Sequence, residues 1–424
     1  MQARSLGGRE GRGLLPASMA LVVAMTLAGQ TRAEGSDSLK AAFTDVKYIL
    51  DARLRTEDVD QDPIANEASA TTLRLRLGLE TAKAWNTVLL VEGEAVMPLE
   101  DNYRPDPLRP INATYPVVAD PESYDLNRLQ LVNTSIPGTT LTLGRQRITL
   151  DDQRFVGNVG WRQNEQTFDA FRVVNKSIKN LVLDATYLNR VNRVFGEKSP
   201  QGEYTGDNVL LNASYQTPVG KLTGFGYLLE FDPIAGVPAA AGDSTSTYGV
   251  RFAGEHAAGK VKLSYLASWA TQSDAGENPL SFDLDYYAGE LGASYQQFGF
   301  GAGIEVLGGN GAKGFTTPLA TLHKFQGWAD KFLTTPANGI EDVYVNASAN
   351  LKAFGGLDNL GLVLSYHDYK AEHISADYGS EWNASVAAKL KKVAVMLKYA
   401  DYSEGTLASA RDTRKLWMQV EFNW

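Results

Sequence analysis

From about residue 45 to the last residue, hydrophobic and polar side chains alternate along the chain with a period of two. In residues 73–80 (LRLRLGLE) leucine occupies every second position. The same alternation recurs in residues 46–55, 261–269, 343–352, 382–390 and 416–424. Side chains of a strand point to alternate faces, so each segment predicts a β-strand with one apolar and one polar face. No sustained helical stripe appears after residue 33.

The connectors between these strands alternate between short and long. Short turns are predicted at 82–86, 136–139, 175–180, 217–221, 256–260, 297–299, 354–359 and 391–392. Long loops are predicted near 56–70, 97–125, 149–166, 192–206, 232–244, 271–283, 308–340, 370–379 and 403–413. A soluble β-sandwich also alternates, but it has no reason to separate loop lengths so regularly. The pattern therefore predicts an all-β fold, a transmembrane antiparallel up-and-down β-barrel of about 18 strands.

In such a barrel the apolar face meets lipid and the polar face lines the lumen, while strand closure pairs the backbone polar groups. Tyrosine and tryptophan cluster at the ends of the apolar stripes, which is typical of the aromatic girdles of these barrels. The alternative explanation of these clusters is that aromatic residues are enriched in β-strands of any kind. The chain also ends on an aromatic strand, Phe422-Asn423-Trp424, which is similar to the C-terminal signal of outer-membrane proteins.

The first 33 residues predict a cleaved signal peptide. Arg4, Arg9 and Arg12 precede the apolar run 19–28, and Ala33 ends a plausible cleavage site. The run is too short to span a bilayer, which argues against the alternative of a membrane anchor. Cleavage would leave residues 34–424 as one barrel domain, with 36 basic and 48 acidic residues and a net charge of −12. This acidity argues against nucleic-acid binding.

Candidate chemistry is sparse. The chain has no cysteine and four histidines, and none of the histidines lies in a zinc motif. The glycine-rich segment 308–314 lacks the spacing of a phosphate-binding loop, and nothing near His367 resembles a nucleophile motif. The loop aspartates at 151–152, or Asp283 with Asp285, leave a calcium site open as an alternative. We therefore expect neither an enzyme nor a cofactor.

The charged residues of the polar face are more informative. Strand parity places on the lumen side Arg53, Arg74, Arg76, Arg128, Arg172, Arg251, Lys47, Lys262, Lys352 and Lys398, together with Asp51, Glu92, Glu94, Asp184 and Glu230. Lumen placement is expected because charges on the lipid face are costly near the midplane. Two interpretations stay open: an ion network that rigidifies the barrel, or an arginine lining that selects anions.

Two segments carry a resemblance to a known family. Residues 144–148 (GRQRI) with 151–170 (DDQRFVGNVGWRQNEQTFDA), and residues 323–332 (HKFQGWADKF), resemble the alginate-export porins. The resemblance implies an 18-strand outer-membrane barrel that passes an anionic polyuronate through an arginine-rich constriction. Arg145, Arg147, Arg154 and Arg162 lie in the matching segment. With Arg74 and Arg76 they are the first candidates for solute contact, while Arg128, Arg172 and Arg251 complete the predicted pore lining.

The sequence thus predicts a monomeric, passive channel of the Gram-negative outer membrane that passes an anionic solute or polysaccharide. Its expected partners are that solute, outer-membrane lipid and lipopolysaccharide, the barrel-assembly machinery and periplasmic export partners. The alternatives are a general or small-molecule-selective porin on the same scaffold, and a plugged structural or adhesion barrel. These readings differ in whether loops such as 97–125 or 308–340 fold into the lumen.

Overall fold

A computed structural model describes residue 40 and residues 42–424, so the predicted signal peptide (1–33) lies outside the described residues. The described chain is almost entirely β-structure. In chain order the strands are β1 (Lys47–Gln61), β2 (Ala68–Glu80), β3 (Thr87–Asn102), β4 (Ser123–Asn133), β5 (Thr139–Gln146), β6 (Thr167–Asn175), β7 (Leu181–Asn192), β8 (Glu203–Thr217), β9 (Gly220–Leu229), β10 (Thr245–Ala258), β11 (Val261–Asp274), β12 (Asp283–Tyr295), β13 (Phe298–Leu307), β14 (Ile340–Lys352), β15 (Asn359–Lys370), β16 (Asp377–Leu390), β17 (Val393–Glu404) and β18 (Thr413–Asn423).

Every strand pairs with its sequence neighbours in antiparallel fashion, and β1 also pairs with β18. Leu54, for example, lies opposite Leu73 on one side and opposite Val420 on the other. The sheet is therefore a closed barrel of 18 strands, which confirms the predicted fold class. Closure leaves no free edge along most of the wall, as a sheet in hydrocarbon requires.

The connectors fall into two groups at opposite ends of the barrel, which we call the turn end and the loop end. Turns at the turn end are as short as two residues, as at 259–260 and 391–392. The longest connectors at the loop end are residues 308–339, here called inner loop 2, and residues 103–122 and 147–166, of which 147–166 is called inner loop 1. The loops also contain a short helix α1 (Pro238–Gly242) and a 3-10 turn (Leu322–Lys324). Among the described residues, no helix is long and apolar enough to cross a bilayer.

The two faces of the wall follow the predicted alternation. On β2, Leu77 is 60% exposed on the outer face, whereas Arg74 is fully buried on the inner face. Val395 and Leu397 on β17 are similarly exposed, while Lys398 between Leu397 and Tyr399 is buried. The apolar stripe therefore forms the outer surface, and the polar stripe points inward.

Placing a charge on this outer stripe should impair assembly. Leu75 lies in the stripe, opposite Ala52 and Ala95 of the neighbouring strands. We expect Leu75→Arg to destabilise the inserted barrel by about 2–4 kcal/mol, because its guanidinium would face hydrocarbon. Heat-modifiable gel migration of the membrane-extracted protein measures the folded fraction. Leu75→Phe is the matched apolar control, and normal assembly of Leu75→Arg would contradict the assigned faces of β2.

Candidate channel interior

Both inner loops fold into the barrel and pack against each other. A parallel β-bridge joins Val156 to Leu319, and the Gly157 N–H donates to the Leu319 carbonyl at 2.8 Å. The Thr321 N–H donates to the Gln153 carbonyl at 3.1 Å. The two loops therefore form one body across the loop-end half of the lumen. The sequence led us to consider that the loops 308–340 and 97–125 fold into the lumen, but it did not suggest this for the loop 149–166.

A stack of arginines lines the wall beneath inner loop 1. Arg53 lies directly opposite Arg74 in the β1–β2 register, and Arg76 follows two residues along the same face. Arg53 donates to Glu421 at 3.0 Å and to the Gly160 carbonyl of inner loop 1 at 3.1 Å. Arg74 pairs with Asp51 and Arg76 with Glu94. Like charges directly opposite each other destabilise a sheet, so these carboxylates are needed to hold the stack together.

A second group of arginines shares the carboxylates of β3 and inner loop 1. Arg128 donates to both oxygens of Glu92, at 2.9 and 2.6 Å. Arg147 reaches Glu92 at 3.3 Å and Glu165 at 2.6 Å. Burial raises the pKa of Glu165, but Arg76 and Arg147 more than offset this effect and lower it to about 2. Glu165 is therefore ionised throughout the neutral range and ties inner loop 1 to the wall.

Arg162 is the centre of a buried charge network between the loops and the wall. Its guanidinium donates to Glu57 of β1 at 3.0 Å and to Asp330 of inner loop 2 at 2.9 Å. Asp120, from the loop 103–122, lies 3.8 Å away. Lys415 of β18 also donates to Asp330, at 3.0 Å. One side chain of inner loop 1 thus connects two other loops with β1, and Asp330 extends the network to the neighbouring strand β18.

Beside this network, Lys398 of β17 sits in a cage of aromatic rings. Its ammonium lies 4.0 Å from the ring centre of Trp161, 3.9 Å from that of Trp328 and 5.2 Å from that of Trp417. His323 Nε2 lies 2.6 Å from the same nitrogen. The ring faces attract the cation, and the cage holds Trp161 of inner loop 1 and Trp328 and His323 of inner loop 2 against the wall.

The contacts of His323 identify its tautomer. Nδ1 lies 2.7 Å from the Asp330 carboxylate and Nε2 faces the Lys398 ammonium, so Nδ1 carries the proton and Nε2 accepts. The Trp161 ring stacks on the imidazole with 4.4 Å between ring centres. Burial, with the charges of Lys398 and Arg162, lowers the pKa of His323 to about 3 against the opposing effect of Asp330. The docked histidine is therefore neutral.

The opposite side of the interior has a different character. Near the loop end, Phe155 of inner loop 1 packs on Phe225 and Tyr286 of the wall, with ring centres 4.9 and 5.2 Å apart. Towards the turn end, strands β10 to β14 border a cavity of about 530 Å³. Its wall is built largely from small residues, including Gly292, Gly301, Ser264 and Ser348. The lumen thus has a charged side, an aromatic patch and a side that is lined largely by small residues.

The nine arginines predicted to line the pore are distributed over several environments. Arg74 and Arg76 are buried on β2, and Arg154 and Arg162 are buried in inner loop 1, where Arg154 donates to Glu305 at 2.6 Å. Side chains that keep some exposure are Arg128 on β4 (15%), Arg147 at the start of inner loop 1 (30%), Arg172 on β6 (21%), Arg251 on β10 (13%) and Arg145 on β5 (19%).

Arg145 differs from the expectation of a lumen position. It lies opposite Leu129, an exposed residue of the outer face, and pairs with Asp169 at 2.7 Å. Asp169 in turn lies between the inward Phe168 and Ala170, so it also points outward. The chain carries Arg145 outside because the inward turn into the lumen begins only after Gln146, where β5 ends.

Of the aspartates considered for calcium, Asp151 and Asp152 are engaged in ion pairs, and Asp283 and Asp285 lie on β12. Asp151 accepts from Lys221 at 2.7 Å, and Asp152 pairs with Arg251 at 3.2 Å. Within the described part of the chain, no group of three or more acidic or histidine side chains is arranged to hold a metal ion. Sequence reasoning placed Lys398 on the inner face but missed its cage, whose other members come from three separate segments.

A closed, 18-strand antiparallel barrel with long loops at one end and an ionic interior defines the porin class of outer-membrane barrels. The loop end then corresponds to the outside of the cell and the turn end to the periplasm. A family model described as alginate export matches residues 50–277, which is more than half of the chain. The chain belongs to the alginate export family, which confirms the resemblance found in the sequence.

Solved outer-membrane porins share the fold at low sequence identity. The Pseudomonas aeruginosa protein OpdK, solved with vanillate, is 15% identical, with 90% of this chain and 99% of that chain covered and a TM-score of 0.68. Acinetobacter baumannii OccAB2 is 16% identical, with coverage of 89% and 98% and a TM-score of 0.69. No curated protein sequence gives a significant match.

Proposed function

We propose that this protein is a passive outer-membrane channel that selects anionic solutes, among them uronate oligomers, by means of the arginines of its charged side. Membership of the alginate export family supports a polyuronate as one such solute. The proposal includes a monomeric barrel and no catalytic step. Within the described residues, neither buried histidine hydrogen-bonds a serine or threonine hydroxyl, since His323 and His367 are bound to Asp330 and Asp342.

The observation that carries the proposal is the stack of Arg53, Arg74 and Arg76. Placing two arginines directly opposite each other costs stability, and a barrel that needed only rigidity would gain more from alternating charges. A row of guanidinium groups offers successive planar sites for carboxylates, which suits a linear polyanion. In the described conformation these groups are covered by inner loop 1, so passage requires that the loop move aside.

The test is the double substitution Arg74→Ala with Arg76→Ala. It leaves Asp51 and Glu94 without their nearest cations and removes one of the two arginines beside Glu165, so the lumen should become less anion-selective or turn cation-selective. Reversal potentials in a planar bilayer under a salt gradient measure this shift, and block by an added oligouronate should weaken in parallel. The matched control is Arg411→Ala with Arg414→Ala, two exposed arginines at the loop end.

An unchanged reversal potential in the double variant would contradict the proposal that these arginines make the lumen anion-selective. A large, unselective conductance of the wild type would favour a general porin, and no conductance at all would favour a plugged structural barrel. Gel migration confirms that each variant is folded before the recording.

A small aromatic carboxylate is the second candidate solute. Phe155, Phe225, Tyr286 and Phe315 form a patch of rings beside the buried guanidinium of Arg154, whose carbon lies 5.8 Å from the Tyr286 ring centre. This combination of ring faces and a cation suits an aromatic acid, the kind of molecule present in the OpdK structure. Block of the channel by vanillate but not by oligouronate would favour this candidate.

A further inference from the structure

The barrel wall is incomplete between β4 and β5. These strands pair only over five residues of each, Leu129–Asn133 with Leu141–Arg145. The rest of β4, residues 123–128, has β3 on one side and no strand on the other. The cause is that β5 ends at Gln146, where the chain turns into the lumen as inner loop 1. A gap therefore opens in the wall towards the loop end.

Two features close this gap without a strand. Arg145 donates through Nη1 to the Leu126 carbonyl at 3.0 Å, which satisfies a backbone group on the free edge of β4. The loop 193–202, which we call the flank loop, lies over the opening. A Cβ atom at Gly196 would lie 3.3 Å from the Ser123 Cβ and 3.5 Å from the Asn164 Nδ2. Natural proteins protect such free edges, and here a loop and a guanidinium provide the protection.

The gap contains a cavity of about 440 Å³, within the roughly 300–1,000 Å³ range of ligand sites. Its lining combines the two sides of the wall. Asp125, Asn127 and Asn164 belong to the lumen side, whereas Arg145 and Arg190 belong to the outer face. The cavity is therefore a polar site that crosses the wall.

Four of the charged side chains that line the cavity are already paired, but Arg193, Asp125 and Glu197 are not. Arg145 binds Asp169, and Arg190 binds Glu203 at 2.7 Å. Arg193 has no carboxylate partner among the described residues; its guanidinium packs on the Tyr204 ring at 4.2 Å and reaches Gln201 only at 3.4–3.5 Å. Asp125 accepts no hydrogen bond from any described residue. The cavity thus presents one available guanidinium, that of Arg193, and two available carboxylates, those of Asp125 and Glu197, with amides between them.

The surface below the cavity is apolar. On β5 the outward residues between the turn end and Arg145 include Leu141 and Leu143, and on β6 they include Val173 and Phe171 below Asp169. Acyl chains can pack on this surface while a polar headgroup enters the cavity above it. This arrangement of a polar site directly over an apolar wall matches an amphiphile better than a free solute.

We propose that this cavity binds the acidic saccharide headgroup of an outer-leaflet glycolipid. The headgroup carboxylate pairs with Arg193 in a planar, bidentate arrangement, and its hydroxyls donate to Asp125 and bond the neighbouring amides. The bound headgroup completes the wall where strand pairing is missing. The proposal does not depend on which solute crosses the lumen.

Native mass spectrometry of the detergent-solubilised barrel tests the proposal. The probes are a deep-rough lipopolysaccharide, whose lipid A carries only its acidic inner-core sugars, lipid A without those sugars, and free galacturonate. We expect the sugar-bearing lipid to bind more tightly than lipid A. Arg193→Gln should weaken its binding about ten- to hundredfold, the loss expected for a charge-assisted hydrogen-bonded pair. Asp125→Asn should weaken it less, because an amide still accepts a hydrogen bond.

Arg414→Gln and Asp401→Asn are the matched controls, since they alter an exposed arginine and aspartate of the outer face 3.6 Å apart at the loop end. Arg193→Lys keeps the charge without the planar fork, and partial retention of binding is expected for it. Equal binding of lipid A with and without its acidic sugars would overturn the proposal, as would unchanged binding in a folded Arg193→Gln variant. Galacturonate binding as tight as that of the glycolipid would overturn the assignment to a lipid.

Discussion

Replacing Arg162 with alanine is expected to release the inner loops from the wall. The substitution leaves Glu57, Asp120 and Asp330 buried without the cation that they share, and only Lys415 and Arg55 remain within ion-pair distance of them. Removing one partner of a buried ion pair costs about 3–5 kcal/mol, because the remaining charges stay desolvated. The docked position of both loops should therefore become unfavourable, while the strand pairing of the barrel is unaffected.

Single-channel recording measures this release as a larger mean conductance with more frequent open events than in the wild type. Limited proteolysis provides an independent readout, since undocked loops become cleavable within 147–166 and 308–339. Arg411→Ala, which removes an exposed pair with Glu404, should change neither quantity. If Arg162→Ala conducts like the wild type and its loops stay resistant, the ion network does not hold the loops in place.

Acidification should loosen the same loops through His323. The docked histidine is neutral with a pKa of about 3, whereas a solvated histidine has a pKa of 6.5. Protons therefore bind preferentially to the undocked state, so docking is fully stable above pH 6.5 and weakens as the pH falls towards 3. Between pH 6.5 and pH 5 the docked state should lose about 2 kcal/mol. Channel openings should rise over this range.

Asp330, which binds His323, does not take part in this titration. Burial raises the pKa of Asp330, but His323, Lys415 and Arg162 lower it well below its usual value, so this carboxylate stays charged. His323→Gln retains a donor for Asp330 and an acceptor for Lys398 but cannot be protonated. Its open probability should be nearly flat between pH 7 and pH 5. An equally steep pH response in this variant would assign the effect to another group.

The alternation of residues was sufficient to predict the barrel wall, because the face of each side chain follows from its position on a strand. Leu77 outside, Arg76 inside and the two-residue turn at 391–392 all follow from that local rule. The inward course of inner loop 1 does not follow from that rule. Its docking depends on Glu57 and Glu305, which lie about one hundred or more residues away, and no local pattern in 147–166 encodes these contacts.

The candidate site was less predictable than the wall for the same reason. Strand parity placed Lys398 inside, but its cage requires Trp161, Trp328 and Trp417 to meet across the lumen. Arg145 was expected among the lumen arginines, and the end of β5 places it on the outer face instead. The solute contacts of all nine arginines stay a prediction until selectivity is measured.

The outer apolar stripe has very different heights around the barrel. It includes only Leu141 and Leu143 on β5 before the charge of Arg145, whereas on β14 it runs from Val343 to Leu351 in five apolar positions. Hydrocarbon thickness adapts to such a mismatch by thinning locally, or the protein adapts by tilting. The barrel should therefore stand inclined in its membrane, with the thinnest and most strained lipid beside β5 and β6. A membrane protein with a short hydrophobic surface should therefore contact this barrel preferentially beside β5 and β6.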